Sequence, residues 1–193
     1  MPGRSFTLLV LAVLWLCSTS AFAQVEPWQS HMVAGAQAYQ QGNYPEAEKR
    51  LVAAVEEAEG FGPRDPRLAT TLNNLAVLYQ ARGKYTEAEP LYKRALAIRE
   101  KALGAENPGV AQSLNNLAVL YDAQGKYAEA EPLYKRSLAI REEALGPAHP
   151  DVATSLENYA ALLRKTERTT EATKMEARAQ AIRARHAKEN PAK

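Results

Sequence analysis

The stretch Leu72-Asn73-Asn74-Leu75-Ala76-Val77-Leu78-Tyr79 returns unchanged 42 residues later as Leu114-Asn115-Asn116-Leu117-Ala118-Val119-Leu120-Tyr121. The joints before each copy share the period: Asp65-Pro66, Asn107-Pro108 and His149-Pro150. Units 65–106 and 107–148 are identical at 30 of 42 positions. A more diverged unit, 149–188, keeps Leu156-Glu157-Asn158-Tyr159-Ala160. An earlier one, 29–64, fits after a one-residue deletion. It carries Gly42, Tyr44, Ala47, Leu51 and Ala54 where unit two has Gly83, Tyr85, Ala88, Tyr92 and Ala95. Internal repetition at this period means a solenoid, a propeller or a helical array, with four units here. Asn190-Pro191 repeats the joint once more, ahead of a short tail, 189–193.

Periodicity within a unit chooses among these. Apolar residues fall at 68, 72, 75, 76 and 79, and again at 88, 91, 92, 95, 96, 98 and 103, which is helix spacing. No run alternates with period two, so blades of strands are excluded. Asp65 and Asn107 can cap a first helix, A, with Pro66 and Pro108 at its first position. Gly83 and Gly125 end that helix, and Gly104 and Gly146 end a second, B. Thr86-Glu87-Ala88-Glu89 has the form of a capping box for helix B, which places Pro90 in its first turn. Small Ala76 and Ala88 allow close approach of A and B, with Tyr79 and Tyr92 filling the space beside them. One pair cannot bury such faces alone, whereas stacked pairs bury them continuously. The expected fold is all-α, a solenoid of about four antiparallel helix pairs.

The pattern Leu75-Ala76-x-x-Tyr79, Gly83-x-Tyr85, Ala88-x-x-x-Tyr92-x-x-Ala95 resembles the tetratricopeptide repeat. The 42-residue period, the Leu-Asn-Asn-Leu-Ala string and the Asn-Pro or His-Pro joints resemble the kinesin-light-chain subtype. Ala38 departs from the pattern at the place of Tyr79. In unit four Leu163 does so, and Glu167 and Thr169 replace the turn's Gly and Tyr. The resemblance implies a right-handed superhelix whose concave face is lined by helix A. Helical geometry then selects the groove positions opposite the core seam. They are Thr70, Asn74, Val77 and Ala81 in unit two, and Gln112, Asn116, Val119 and Ala123 in unit three. In unit four they are Thr154, Asn158, Ala161 and Lys165, and Asn73 and Asn115 lie on the flank. Asn side chains on successive helices can hydrogen-bond the backbone of an extended peptide, or they can brace neighbouring helices. Relatives that grip a C-terminal carboxylate place Lys or Arg on these positions. Units two and three have none and only Lys165 remains, so no strong preference for a free C-terminus is expected.

The rest of the chain reads as delivery and solvation. Arg4, the apolar run Phe6–Leu16 and Ala21-Phe22-Ala23 form a signal peptide over 1–23, followed by a short segment, 24–28. The run is too short for a spanning helix, and Leu16 is bulky for a lipoprotein signal ending at Cys17. An exported protein, periplasmic or secreted and bacterial in style, is expected, with no strong membrane association once the signal is removed. Cys17 is the sole cysteine, so cleavage after Ala23 leaves no thiol. The net charge of +2 over 193 residues gives no footprint for nucleic acid. His31, His149 and His186 lie far apart, and no catalytic order, phosphate loop or metal-ligand spacing is present, so neither enzyme activity, metal nor cofactor is expected. Residues 164–193 hold nine Lys or Arg against four Asp or Glu, either a solvated closing helix or a surface for an acidic partner or anionic lipid. The leading expectation is a protein-interaction scaffold that holds a protein or peptide segment. The alternative is a self-assembling element that forms homo-oligomers by end-to-end stacking.

Overall fold

The computed structural model describes residues 27–190, so the signal-peptide reading and the last three residues lie outside the described part. Eight helices and no strand occur among the described residues: α1 (Pro27–Gln40), α2 (Tyr44–Glu59), α3 (Pro66–Ala81), α4 (Tyr85–Leu103), α5 (Pro108–Ala123), α6 (Tyr127–Leu145), α7 (Pro150–Lys165) and α8 (Thr169–Glu189). They pair as α1/α2, α3/α4, α5/α6 and α7/α8, and each pair packs on the next.

Local chemistry sets the helix ends. The Asp65 carboxylate accepts the Arg67 N–H at 2.8 Å, Asn107 Oδ1 accepts that of Gly109 at 2.8 Å, and His149 Nδ1 accepts that of Asp151 at 3.1 Å. Each caps a helix A whose first residue is proline. Helix A closes through a 6→1 and 5→2 bond pair: Lys84 N–H to Tyr79 C=O at 2.9 Å and Gly83 N–H to Gln80 C=O at 2.9 Å. Gly83 sits at φ 72° there, and Gly42 and Gly125 both at φ 73°.

That closure corrects the capping-box expectation. Helix α4 starts at Tyr85, directly after Lys84, and no side chain caps it. Thr86 is therefore already its second residue. Pro90 lies inside the helix, beyond the first turn, and leaves the exposed Thr86 carbonyl to solvent.

Packing follows the small residues. Ala76, Ala88, Ala118 and Ala130 have no exposed surface and share one core with Tyr92 and Tyr134. Unit one closes differently. The Trp28 indole donates to Thr71 Oγ1 at 2.8 Å and stands edge-on to Phe61 at 5.9 Å. In unit four, Tyr159, one turn before Leu163, takes over a missing contact. Its hydroxyl donates to Glu131 at 2.8 Å, as the Tyr121 hydroxyl does to Glu89 at 3.1 Å.

Charged pairs cross every joint in register. Arg94 meets Glu59 at 2.9 Å, Arg136 meets Glu100 at 2.7 Å, and Arg178 meets Glu142. On the other edge Lys84 reaches Glu48, Lys126 reaches Glu89 and Arg168 reaches Glu131, at 3.5, 3.6 and 2.7 Å. Bonds from Lys135, Arg168 and Tyr159 hold the Glu131 carboxyl down at about 2. Such half-exposed pairs contribute about 0–1 kcal/mol each, so they set register more than stability.

Glu167 occupies the turn position that Gly83 holds in unit two, at φ 62°. An L-residue in that region costs about 1–2 kcal/mol. Glu167→Gly is therefore expected to raise the unfolding free energy in urea by about 1 kcal/mol. No change, or a loss, would show the turn to be unstrained.

Candidate interaction groove

Successive A helices face a common surface. An open hollow of about 350 Å³ is bordered by Tyr39 of α1, by Val77, Gln80 and Ala81 of α3, and by Asn116, Val119 and Ala123 of α5. Tyr85 and Tyr92 of α4 complete its wall. A second hollow of about 270 Å³ adjoins it across Tyr39 and Val77, between α1 and α3. The structure thus brings Asn74, Val77, Asn116, Val119, Ala81 and Ala123 to these two hollows. It adds Tyr39 and Tyr85, which were not among the expected groove positions.

Other expected groove positions do not line these hollows. Thr70 is half-buried, with its hydroxyl donating to Pro66 C=O at 3.1 Å, and Gln112 is exposed. Thr154 is half-buried and accepts from Arg183 at 2.8 Å, while Ala161 is exposed. Lys165 is committed to Asp122 at 2.7 Å, so its charge is neutralised within the chain.

The asparagines divide in two. Asn73 and Asn115 are each only 6% exposed, beneath the surface rather than on it. Asn116 Nδ2 donates to Asn73 Oδ1 at 2.8 Å, and Asn158 Nδ2 donates to Asn115 Oδ1 at 3.1 Å. These bonds tie each helix A to the one before it. The ladder stops at unit two, because Met32 stands one repeat before Asn73 and has only a weakly accepting thioether in place of an amide oxygen. The Asn74 amide accordingly has no hydrogen-bond partner among the described residues, whereas Asn116 and Asn158 each spend one donor inside the protein.

Two arginines were not marked by the sequence. Arg99 and Arg141, on helices B, are each 7% exposed. Arg99 donates to Gly109 C=O at 3.2 Å and Ser113 Oγ at 2.9 Å; Arg141 donates to Asp151 C=O at 3.1 Å and Ser155 Oγ at 2.8 Å. Burial lowers both guanidinium pKa values. Their 42-residue spacing, and the Ser one repeat apart, was the available signal.

The basic C-terminal segment is largely self-neutralised. Arg164 pairs with Glu176, Arg168 with Glu131 and Glu171, Arg178 with Glu142, Arg183 with Glu157 and Arg185 with Glu189. This arrangement fits a solvated closing helix better than a lipid-binding face. No described helix is long and apolar enough to cross a membrane.

The sequence profile of the tetratricopeptide repeat matches residues 30–101, 67–143 and 109–185. Among solved structures, BtubC (BKLC) from P. vanneervenii is similar at 26% identity and TM-score 0.74, over 87% of this chain and 68% of that one. The nearly identical TPR-like repeats of a candidate kinesin light chain from Podosopora anserina are similar at 27% identity and TM-score 0.67, over 94% and 85% of the two chains. Aspartyl phosphate phosphatase F from Bacillus subtilis shares the fold alone, at 16% identity and TM-score 0.74 over 84% of this chain and 42% of that one. The comparison with curated proteins finds no match.

The two kinds of asparagine separate by mutation. Asn73→Ala strips the half-buried Asn116 amide of its acceptor and is expected to cost about 1–3 kcal/mol in urea unfolding. Asn74→Ala breaks no hydrogen bond among the described residues and is expected to stay within about 0.5 kcal/mol of wild type. Equal losses for the two would contradict the division.

Proposed function

The chain belongs to the tetratricopeptide repeat family, and from that premise we propose that its concave groove holds an extended segment of another protein. Scaffolding of protein interactions is the general role of such repeats. The finer reading rests on one observation. The hollows along α1, α3 and α5 present polar groups without hydrogen-bond partners among the described residues, namely the Asn74 amide and the Tyr39 and Tyr85 hydroxyls, amid uncharged surface. Groups of this kind suit a peptide backbone, which offers donors and acceptors regardless of its sequence. An uncharged groove also gives no reason to select a terminal carboxylate.

Self-assembly by end-to-end stacking has less support. Unit four has Thr173 and Ala184 where the inner units have Glu131 and Glu142. Unit one has Asn43 and Ala53 where unit two has Lys84 and Arg94. A further unit stacked at either end would find no complementary charge at these positions. The signal-like residues 1–23 favour work outside the cytoplasm; N-terminal sequencing of the exported protein should then begin at Gln24, and an intact Met1 would refute it.

The test is a pull-down from an envelope extract with wild type and the double variant Asn74→Ala, Val77→Arg, each checked for helicity and for monomer mass by light scattering. Partner recovery is expected to fall at least about tenfold in the variant, the equivalent of about 1.4 kcal/mol. Unchanged recovery by a folded variant would remove the groove from the function.

A further inference from the structure

Unit one departs from the repeat at the residues that build the smaller hollow. Gly35 stands where units two and three have Ala76 and Ala118, and Leu51 stands where they have Tyr92 and Tyr134. Tyr39 takes the place of Gln80. In unit two the Tyr92 hydroxyl donates to Gln80 Oε1 at 2.9 Å, so that pair presents polar atoms to the larger hollow. In unit one that pair is absent, its places taken by Leu51 and Tyr39. Leu51, 3% exposed, forms an apolar floor, and Gly35 allows it to come close: a Cβ there would lie 2.9 Å from Leu51 Cγ. Ala36 and Val77 make the walls, Tyr39 the ridge towards the larger hollow, and the uncharged amides of Asn74 and Gln40 the rim.

The same divergence frees Asn74. Because Met32 replaces the ladder's acceptor, the amide that units three and four spend on bracing is left unpaired beside this hollow. A volume of about 270 Å³ falls just below the roughly 300 Å³ at the small end of ligand sites, so it suits one side chain rather than a cofactor. Among the described residues neither a Lys, Arg, Asp nor Glu lines it. An ionised side chain seated on Leu51 would lose hydration with no counter-charge to offset it.

We propose that the diverged first unit is the specificity subsite of the groove: the hollow over Leu51 seats one aliphatic or aromatic side chain of the bound segment, and the free Asn74 amide holds that segment's backbone at the same point. This inference rests on the groove reading and narrows it to an apolar anchor between α1 and α3.

Selection from a displayed library of random twelve-residue peptides tests it, with the purified protein as bait. Wild type is expected to retain peptides enriched about fivefold or more over input in aliphatic or aromatic residues at one aligned position. Ala36→Glu, an exposed change at the wall, is expected to keep retaining peptides but to lose that enrichment, with helicity unchanged. Asn74→Ala is expected to reduce retention of all peptides. If wild type retains none, the groove reading and this inference both fall. If peptides are retained without apolar enrichment, or Ala36→Glu keeps it, the subsite falls and the groove stands. If light scattering of the same samples shows a dimer that Ala36→Glu dissolves, a second copy of this chain is the occupant and the proposal is overturned.

Discussion

Ala76 on α3 and Ala88 on α4 have no exposed surface, and the same holds for Ala118 and Ala130 one unit on. Side chains this small let the axes of paired helices come close, and larger neighbours then have to fit around the contact. Tyr92 and Tyr134 do so, buried to 1% exposure. Burial pushes both phenols well above their usual pKa, because the interior disfavours the phenolate. The close contact also fixes which face of helix A is left over. That remaining face becomes the groove, so the position of the groove is a consequence of where alanine lies.

Between units a different logic operates. The apolar core supplies adhesion, but a smooth apolar face tolerates sliding. Paired asparagines, the buried Arg99 and Arg141, and the Arg–Glu pairs each demand one register. A buried guanidinium satisfied only by carbonyl and hydroxyl oxygens is expensive to misplace, because any shift leaves its N–H groups unbonded. Unit one breaks this pattern on the groove side, where Met32, Gly35, Tyr39 and Leu51 replace the ladder and the polar pair. Divergence there coincides with an apolar hollow and an unpaired amide, not with a loss of packing: Ala38, Ala47 and Leu51 remain buried.

The helical repeat, the proline-led caps and the glycine turns were legible because each depends on residues within a few positions of one another. Asp65, Asn107 and His149 cap as their type and place imply. Legibility failed where one local signal competed with another. The capping-box form at Thr86–Glu89 lost to the turn at Gly83, which commits the Lys84 N–H and starts the helix at Tyr85. It failed again across units. Helical geometry placed Asn73 and Asn74 side by side near the groove, but only the stacking of α5 on α3 shows that the first is covered and the second is not.

The sequence by itself determined that this is an array of four helix pairs, since a 42-residue period with helix spacing admits no other way to bury its apolar faces. It also determined which face of each helix A is available. The tertiary structure alone decided which available residues are free. That depends on what the neighbouring unit presents: Asn73 where Asn116 needs an acceptor, Met32 where Asn74 does, Asp122 where Lys165 lies. Hydrogen bonds and ion pairs act over about 3 Å, so residues 43 apart in the chain become partners only when the stack is built.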